Sequence, residues 1–93
     1  MESDKKIIVT VSGIDKTGIV AKITTKLAQY NVNIEDIKQS ICQGYFVMFL
    51  LGGIEKSEHS FKEIKDALLE VGNELELEVW VQKRKIFDNM HKI

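Results

Sequence analysis

Gly13-Ile14-Asp15-Lys16-Thr17-Gly18 is the stretch of this chain best equipped to hold a ligand. It lies between a short β-branched run and a segment with helical apolar spacing, so it leads into the first turn of a helix. That turn presents backbone N–H groups with no intrahelical acceptor, and the helix dipole adds partial positive charge there. A carboxylate or phosphate suits such donors. Gly13 and Gly18 allow close backbone approach. Asp15 opposes an anion but can hold an ammonium. One end that takes a carboxylate and another that takes an ammonium together complement a zwitterionic amino acid. Each hydrogen bond to a charged group contributes roughly 1.5–3 kcal/mol. Two or three of them at an interface support affinity in roughly the micromolar-to-millimolar range. The same residues also have plain structural uses: Asp15 or Thr17 can cap the helix, and the glycines can serve the turn alone.

Other constellations carry less. His59 and His91 have no companions at metal-ligand spacing, so no metal is expected. Cys42 stands beside a turn signal with no basic residue or histidine near it to lower its pKa, and reads as structural. Glu74, Glu76 and Glu78 read as a solvated strand face that discourages edge aggregation. Lys83-Arg84-Lys85 reads as a solvated exit from the last strand. No nucleophile–base pair appears, so neither catalysis nor a cofactor is expected.

Ninety-three residues bound the chain to one domain with one modest core. Thirteen basic residues against fourteen acidic ones leave a formal charge of −1 and no general attraction to nucleic acid or anionic lipid. A single cysteine excludes an internal disulfide. The longest apolar run, Tyr45 to Leu51, is too short to span a bilayer. The N-terminus is charged rather than a cleavable apolar segment, and the cytoplasm is the expected location. Proline is absent, so turns fall to Gly, Asn, Asp and Ser.

Several elements must position the loop. Ile7 to Val11 reads as a buried strand, and 12–18 as a loop. Val20, Ile23 and Leu27, widened by Ile19, mark a helix with Lys16, Lys22 and Lys26 on its wet side and Asn31 as terminator. Asn33 to Cys42 reads as a second strand; Ile37, Gln39 and Ile41 share one parity and Ile34 the other, which predicts a bulge and an edge position. Gln43-Gly44 is a tight turn. Tyr45 to Leu51 is apolar on both parities, which predicts a central strand covered on both faces, ended by Gly52-Gly53. A second helix is expected over 57–71, with Ser60 and Glu63 at capping-box spacing, Phe61, Ile64, Leu68 and Val71 on its buried face, and a stop at Gly72-Asn73. Glu74 to Val81 alternates as a half-buried edge strand. Ile86, Met90 and Ile93 fall on one face of a short C-terminal helix or tail over 85–93.

The order is βαββαβ: an α+β, ferredoxin-like sandwich with a four-stranded antiparallel sheet and two helices on one face. Right-handed crossovers place strands 1 and 3 in the centre. Two helices cover one face only, so the other exposes an apolar patch that includes Trp80. A homo-oligomer, dimer or tetramer, is expected through that open face, the sheet edges, or both.

Residues 8–23, with their Gly-Ile-Asp-Lys-Thr-Gly loop and aliphatic helix start, resemble the ACT domain, whose signature is a strand, a Gly-x-Asp-Arg-Pro-Gly loop and a helix. Asn31-Val32-Asn33-Ile34 is similar to the Gly-x-Asn-Ile that follows the family's first helix. The resemblance covers about residues 6–84, and it is to small bacterial ACT-only proteins akin to the ACT units of the glycine-cleavage repressor and formyltetrahydrofolate deformylase. It implies a stand-alone regulatory domain that binds a small effector, often an amino acid, between ACT units and thereby regulates a partner enzyme. It also implies ligand contacts from Gly13, Ile14, Asp15, Thr17, Gly18 and Ile19, with Asn33 from the second strand. Thr17 stands where the family has proline, which leaves the loop less preorganised.

Alternatives remain in view. A ligand-free assembly module would share every feature above. An RNA-recognition module has the same element order, and Gly44 to Phe49 looks a little like its third-strand aromatic motif. Yet no basic residue precedes Gly44, and Ile7 to Val11 offers no aromatic for a base. Acylphosphatase chemistry on this fold uses an arginine in the first loop, and the only arginine is Arg84.

Overall fold

A computed structural model of the protein describes residues 5–85. Six elements follow in the order β1 (Lys6–Ile14), α1 (Ile19–Gln29), β2 (Asn33–Cys42), β3 (Tyr45–Gly53), α2 (Phe61–Leu75) and β4 (Glu78–Lys83). The strands form one sheet in the order β2-β3-β1-β4, and every neighbouring pair is antiparallel. This is the ferredoxin-like βαββαβ arrangement, with β1 and β3 in the centre. The C-terminal stripe of Ile86, Met90 and Ile93 lies outside the described residues.

The core is the layer between sheet and helices. Ile7, Val9 and Val11 of β1 alternate toward the helices and are fully buried, as are Met48 and Leu50 of β3. Ile23 and Leu27 of α1 and Ile64 and Leu68 of α2 meet them. Val20 and Phe61, expected within the stripes, pack at the border instead.

Both helices end by the same device. Asn31, left-handed at φ 58, follows α1; its N–H donates to Ala28 O (3.0 Å) and the Val32 N–H donates to Leu27 O (2.9 Å). This pair of bonds is a Schellman motif. Glu76 at φ 59 repeats it after α2, with Leu77 N–H donating to Gly72 O at 2.8 Å. The expected stop at Gly72-Asn73 is therefore displaced to Glu76. Gly72 is buried inside the helix because Val79 lies against it: a Cβ there would sit 2.6 Å from Val79 Cγ2 and 3.2 Å from Leu77 O. The last strand accordingly begins at Glu78, and Glu74 and Glu76 belong to the helix end rather than to a strand face.

Three further expectations change. β1 continues through Ser12, Gly13 and Ile14, because these residues pair with Val47, Phe46 and Tyr45 of β3. β3 runs on through Gly52 and Gly53. The two helices cover only its first face: Phe46, Met48 and Leu50 point to them and are buried, while Tyr45 and Val47 on the other face are exposed. The bulge in β2 falls between Ile34 and Asp36, and Gln43 (φ 52) and Gly44 (φ 84) form a hairpin turn with both φ angles positive.

At the start of α2, the Ser60 side chain accepts from the Glu63 N–H (3.1 Å) and the Ser60 N–H donates to Glu63 Oε1 (2.8 Å). That backbone hydrogen bond, helped by the charge of His59, holds the Glu63 carboxyl below its ordinary value. A carboxyl whose pKa is lower when folded stabilises the fold above its unfolded value of 4.5, and the gain is lost as pH falls through the folded value. Ser60→Ala should lower stability by about 1 kcal/mol in urea unfolding. Glu63→Gln should flatten the loss of stability below pH 4.5 in the same assay. Gly72→Ala should destabilise by about 1–3 kcal/mol through overpacking, although alanine is the better helix former.

Candidate functional site

The end of β1 determines where the loop emerges. Gly13 pairs with Phe46 at φ +155, and a Cβ there would lie 2.5 Å from Leu77 Cδ2. Glycine at this position therefore lets the α2–β4 connection pack over the strand. Ile14 is the last strand residue and points to the open face of the sheet, opposite Tyr45. Asp15 is the first residue off the strand, and its N–H donates to Gly44 O at 2.8 Å, which ties the loop to the β2–β3 turn. Lys16 Nζ donates to Leu75 O at 2.5 Å and lies 3.9 Å from Glu76 Oε1. Lys16 is thus half-buried against the C-terminal end of α2, where a cation complements the helix dipole, and not on a wet face. The loop is held at both ends.

Neither Asp15 nor Thr17 caps α1. The cap position is Gly18, left-handed at φ 88, and it makes no side-chain hydrogen bond. The first helical bond runs from the Lys22 N–H to Gly18 O at 2.9 Å. A Cβ built on Gly18 meets nothing within 4 Å, so the start of the helix opens to space. Beside it lies a cleft of about 350 Å³, with Asp15, Gly18 and Ile19 on one wall and Gln39, Ile41 and Phe46 on the other. Ile41 is 61% exposed although it points to the helix side of the sheet, because α1 does not reach it.

The structure thus brings Asp15, Gly18 and Ile19 together. Thr17 precedes Gly18 in the turn, and Gly13 and Ile14 belong to β1. Asn33 is elsewhere. It pairs with Gly53, seven residues along β3 from Phe46, which is roughly 23 Å at the usual rise per residue. Around it lie Asn31, whose Nδ2 donates to Lys56 O at 2.8 Å, and the ammonium of Lys6, which hydrogen-bonds Glu35 and lies 3.6 Å from Glu55. The hydrogen bond that Lys6 donates to the Glu35 carboxylate raises the Lys6 pKa. Gln39 and Ile41 are the cleft residues that sequence reasoning left unassigned. Their shared parity beside the turn is the signal that places them on the helix side.

A larger hollow of about 580 Å³ lies at Tyr30, His59 and Glu63. Two of its polar groups are already paired: His59 Nδ1 is 3.4 Å from Glu63 Oε1, which also accepts from the Ser60 N–H. The loop cleft is the better candidate because its helix start has no side-chain cap. Among the described residues no group of His, Cys, Asp and Glu could hold a metal ion, and no helix is long and apolar enough to cross a membrane.

The sequence profile of the ACT domain matches residues 5–82. A UPF0237 protein of Listeria innocua is 41% identical over 86 residues, which is 92% of this chain and 97% of that protein. An ACT domain protein from Streptococcus pneumoniae superposes with a TM-score of 0.77 at 32% identity, over 89% of this chain and 93% of that one. A formyltetrahydrofolate deformylase from Pseudomonas syringae shares the fold (TM-score 0.77, 19% identity) over 83% of this chain and 26% of its own. ACT domains are in general regulatory domains that bind small molecules, often amino acids, and commonly form oligomers. With its strand–loop–helix motif, its sheet order and these matches in agreement, the chain belongs to the ACT domain family.

Proposed function

We propose that this protein is a non-catalytic regulatory domain of the cytoplasm that binds a small amino-acid-like effector between two copies of itself. The observation that carries this reading is the uncapped start of α1 opening into the cleft beside Asp15. The N–H groups of Ile19 and its neighbours suit the effector's carboxylate. Asp15 suits its ammonium, and Gly13, Ile14 and Thr17 hold the loop in place.

Asn33 joins such a site only from a second copy. β2 is an edge strand exposed along nearly all of its ten residues, so its outer side is open to a further strand. Antiparallel pairing of β2 with β2 of another copy reverses the strand about a two-fold axis. It carries Asn33 of one copy toward the Cys42 end of the other, where Gly44 O holds the Asp15 loop. Binding then favours one oligomer geometry over another, by no more than the effector's difference in affinity for the two.

A thermal-shift screen against the twenty amino acids tests this reading. At least one should raise the melting temperature in a concentration-dependent way, as mass action requires. Asp15→Lys should abolish that rise without lowering the temperature of the free protein, and Asn33→Ala should weaken affinity about tenfold. No response from any of the twenty would favour a ligand-free assembly module.

A further inference from the structure

Lys16 borders the loop cleft, yet its ammonium is held elsewhere. Nζ donates to Leu75 O at 2.5 Å and lies 3.9 Å from Glu76 Oε1, at the C-terminal end of α2. That end calls for a cation. The last turn of α2 carries no basic residue of its own, and Glu74 and Glu76 add negative charge at the negative pole of the helix dipole. By contrast, α1 has Lys26 in its last turn. Leu75 closes the helix, so its carbonyl is one that no intrahelical N–H reaches. The neighbouring carbonyls of Gly72 and Asn73 accept from the Leu77 and Glu76 N–H groups.

The residues just beyond that carbonyl are under constraint. Glu76 is left-handed at φ 59, a conformation that opposes any side chain with a Cβ. Leu77 packs over Gly13, where a Cβ would lie 2.5 Å from Leu77 Cδ2. The loop thus touches the α2–β4 connection twice, with Gly13 under Leu77 and Lys16 at Leu75. Glu78 then begins β4, which pairs with β1 at the edge of the sheet. A movement of residues 75–77 passes directly to that edge strand.

The cleft lies on the other side of the loop. Its far wall is Gln39, Ile41 and Phe46 of β2 and β3, whereas α2 packs against β4. In the sheet order these two regions flank β1 from opposite sides. One ammonium serves one side at a time.

We propose that Lys16 is an effector-binding residue that exchanges partners: a carboxylate bound at the start of α1 draws its ammonium off Leu75 O and into the cleft, and so releases the α2–β4 connection. The proposal rests on the reading of the loop cleft as the effector site. A carboxylate is the stronger acceptor, because both partners of the bond then carry charge. The ammonium stays paired in both states, while Glu74 and Glu76 lose the cation that offset them. Loosening at Glu76 and Leu77 is the signal passed to β4. By linkage, whatever holds residues 75–77 in place weakens carboxylate binding to the same degree.

Hydrogen exchange of the Glu76 and Leu77 amides, followed by ¹⁵N NMR, reads the state of this contact, since their bonds to Asn73 O and Gly72 O close the helix end. In the free protein, Lys16→Met should speed exchange of these two amides about tenfold and leave the capping amide of Glu63 unchanged, and Lys16→Arg should restore the native rates. Each of the twenty amino acids that raises the melting temperature is then added. It should speed the same two amides in the native protein, leave them unaltered in Lys16→Met, and bind that variant about tenfold more weakly. An amino acid that raises the melting temperature but leaves Glu76 and Leu77 unaltered, or slows them, would overturn the exchange of partners while the effector site stands. Equal rates in the free native and Lys16→Met proteins would overturn it as well, because the contact would then hold nothing. If none of the twenty raises the melting temperature, the effector reading fails and the exchange of partners fails with it.

Discussion

Two helices can cover only one face of a four-stranded sheet, and the functional features of this protein follow from what that leaves bare. The covered face takes every second residue of β1 and β3 and supplies a core of aliphatic side chains. Burial of this kind is the main force holding the fold. On the other face Val47 and Trp80 remain about half exposed. The outer edge of β2 is equally bare, because α1 stops short of Ile41.

The same constraint positions the loop between β1 and α1. β1 is paired on both sides as far as Ser12 and with β3 through Ile14, which fixes where it ends. The loop that leaves it is then tied at Asp15 to the hairpin turn and at Lys16 to the end of α2. Between those ties the chain reaches Gly18 in a left-handed conformation and starts a helix with no side chain over its first N–H groups. Ser60 closes the start of α2 with a capping box, whereas α1 has nothing comparable. The contrast between the two helix starts within one small domain marks the first as the one kept open. Lys16 links that opening to the segment that packs on β4, so a change at the loop has a short path to the opposite edge of the sheet.

Much of this was legible in the residues. The element order, the central place of β1 and β3, the bulge in β2, the Gln43-Gly44 turn and the Ser60 cap all have local causes that alternation and turn chemistry express. The misreadings were tertiary in origin. Gly72 has the chemistry of a stop signal, yet it sits inside α2 because Val79 needs the room. Glu74 and Glu76 alternate with leucines as a strand would, but the Schellman bonds from Glu76 and Leu77 decide for the helix. Asp15 looked like a cap, but its N–H is taken by Gly44 O from a turn 29 positions away in the chain. The loop side of the candidate cleft, Asp15, Gly18 and Ile19, could be named from residue types and spacing. The strand half, Gln39 and Ile41, needed the knowledge that α1 leaves that corner open, and the distance from Asn33 to Asp15 appears only once the strands are paired.

The central claim is that an effector sits at the open start of α1. Titration of ¹⁵N-labelled protein with the amino acid that most raises its melting temperature tests it most directly, by following backbone amide shifts. Binding at this site moves the amides of Asp15, Gly18, Ile19, Val20 and Ala21 together with that of Asn33, at one common affinity. Shifts gathered instead around Tyr30 and His59, with the amides from Gly18 to Ala21 unmoved, would contradict it.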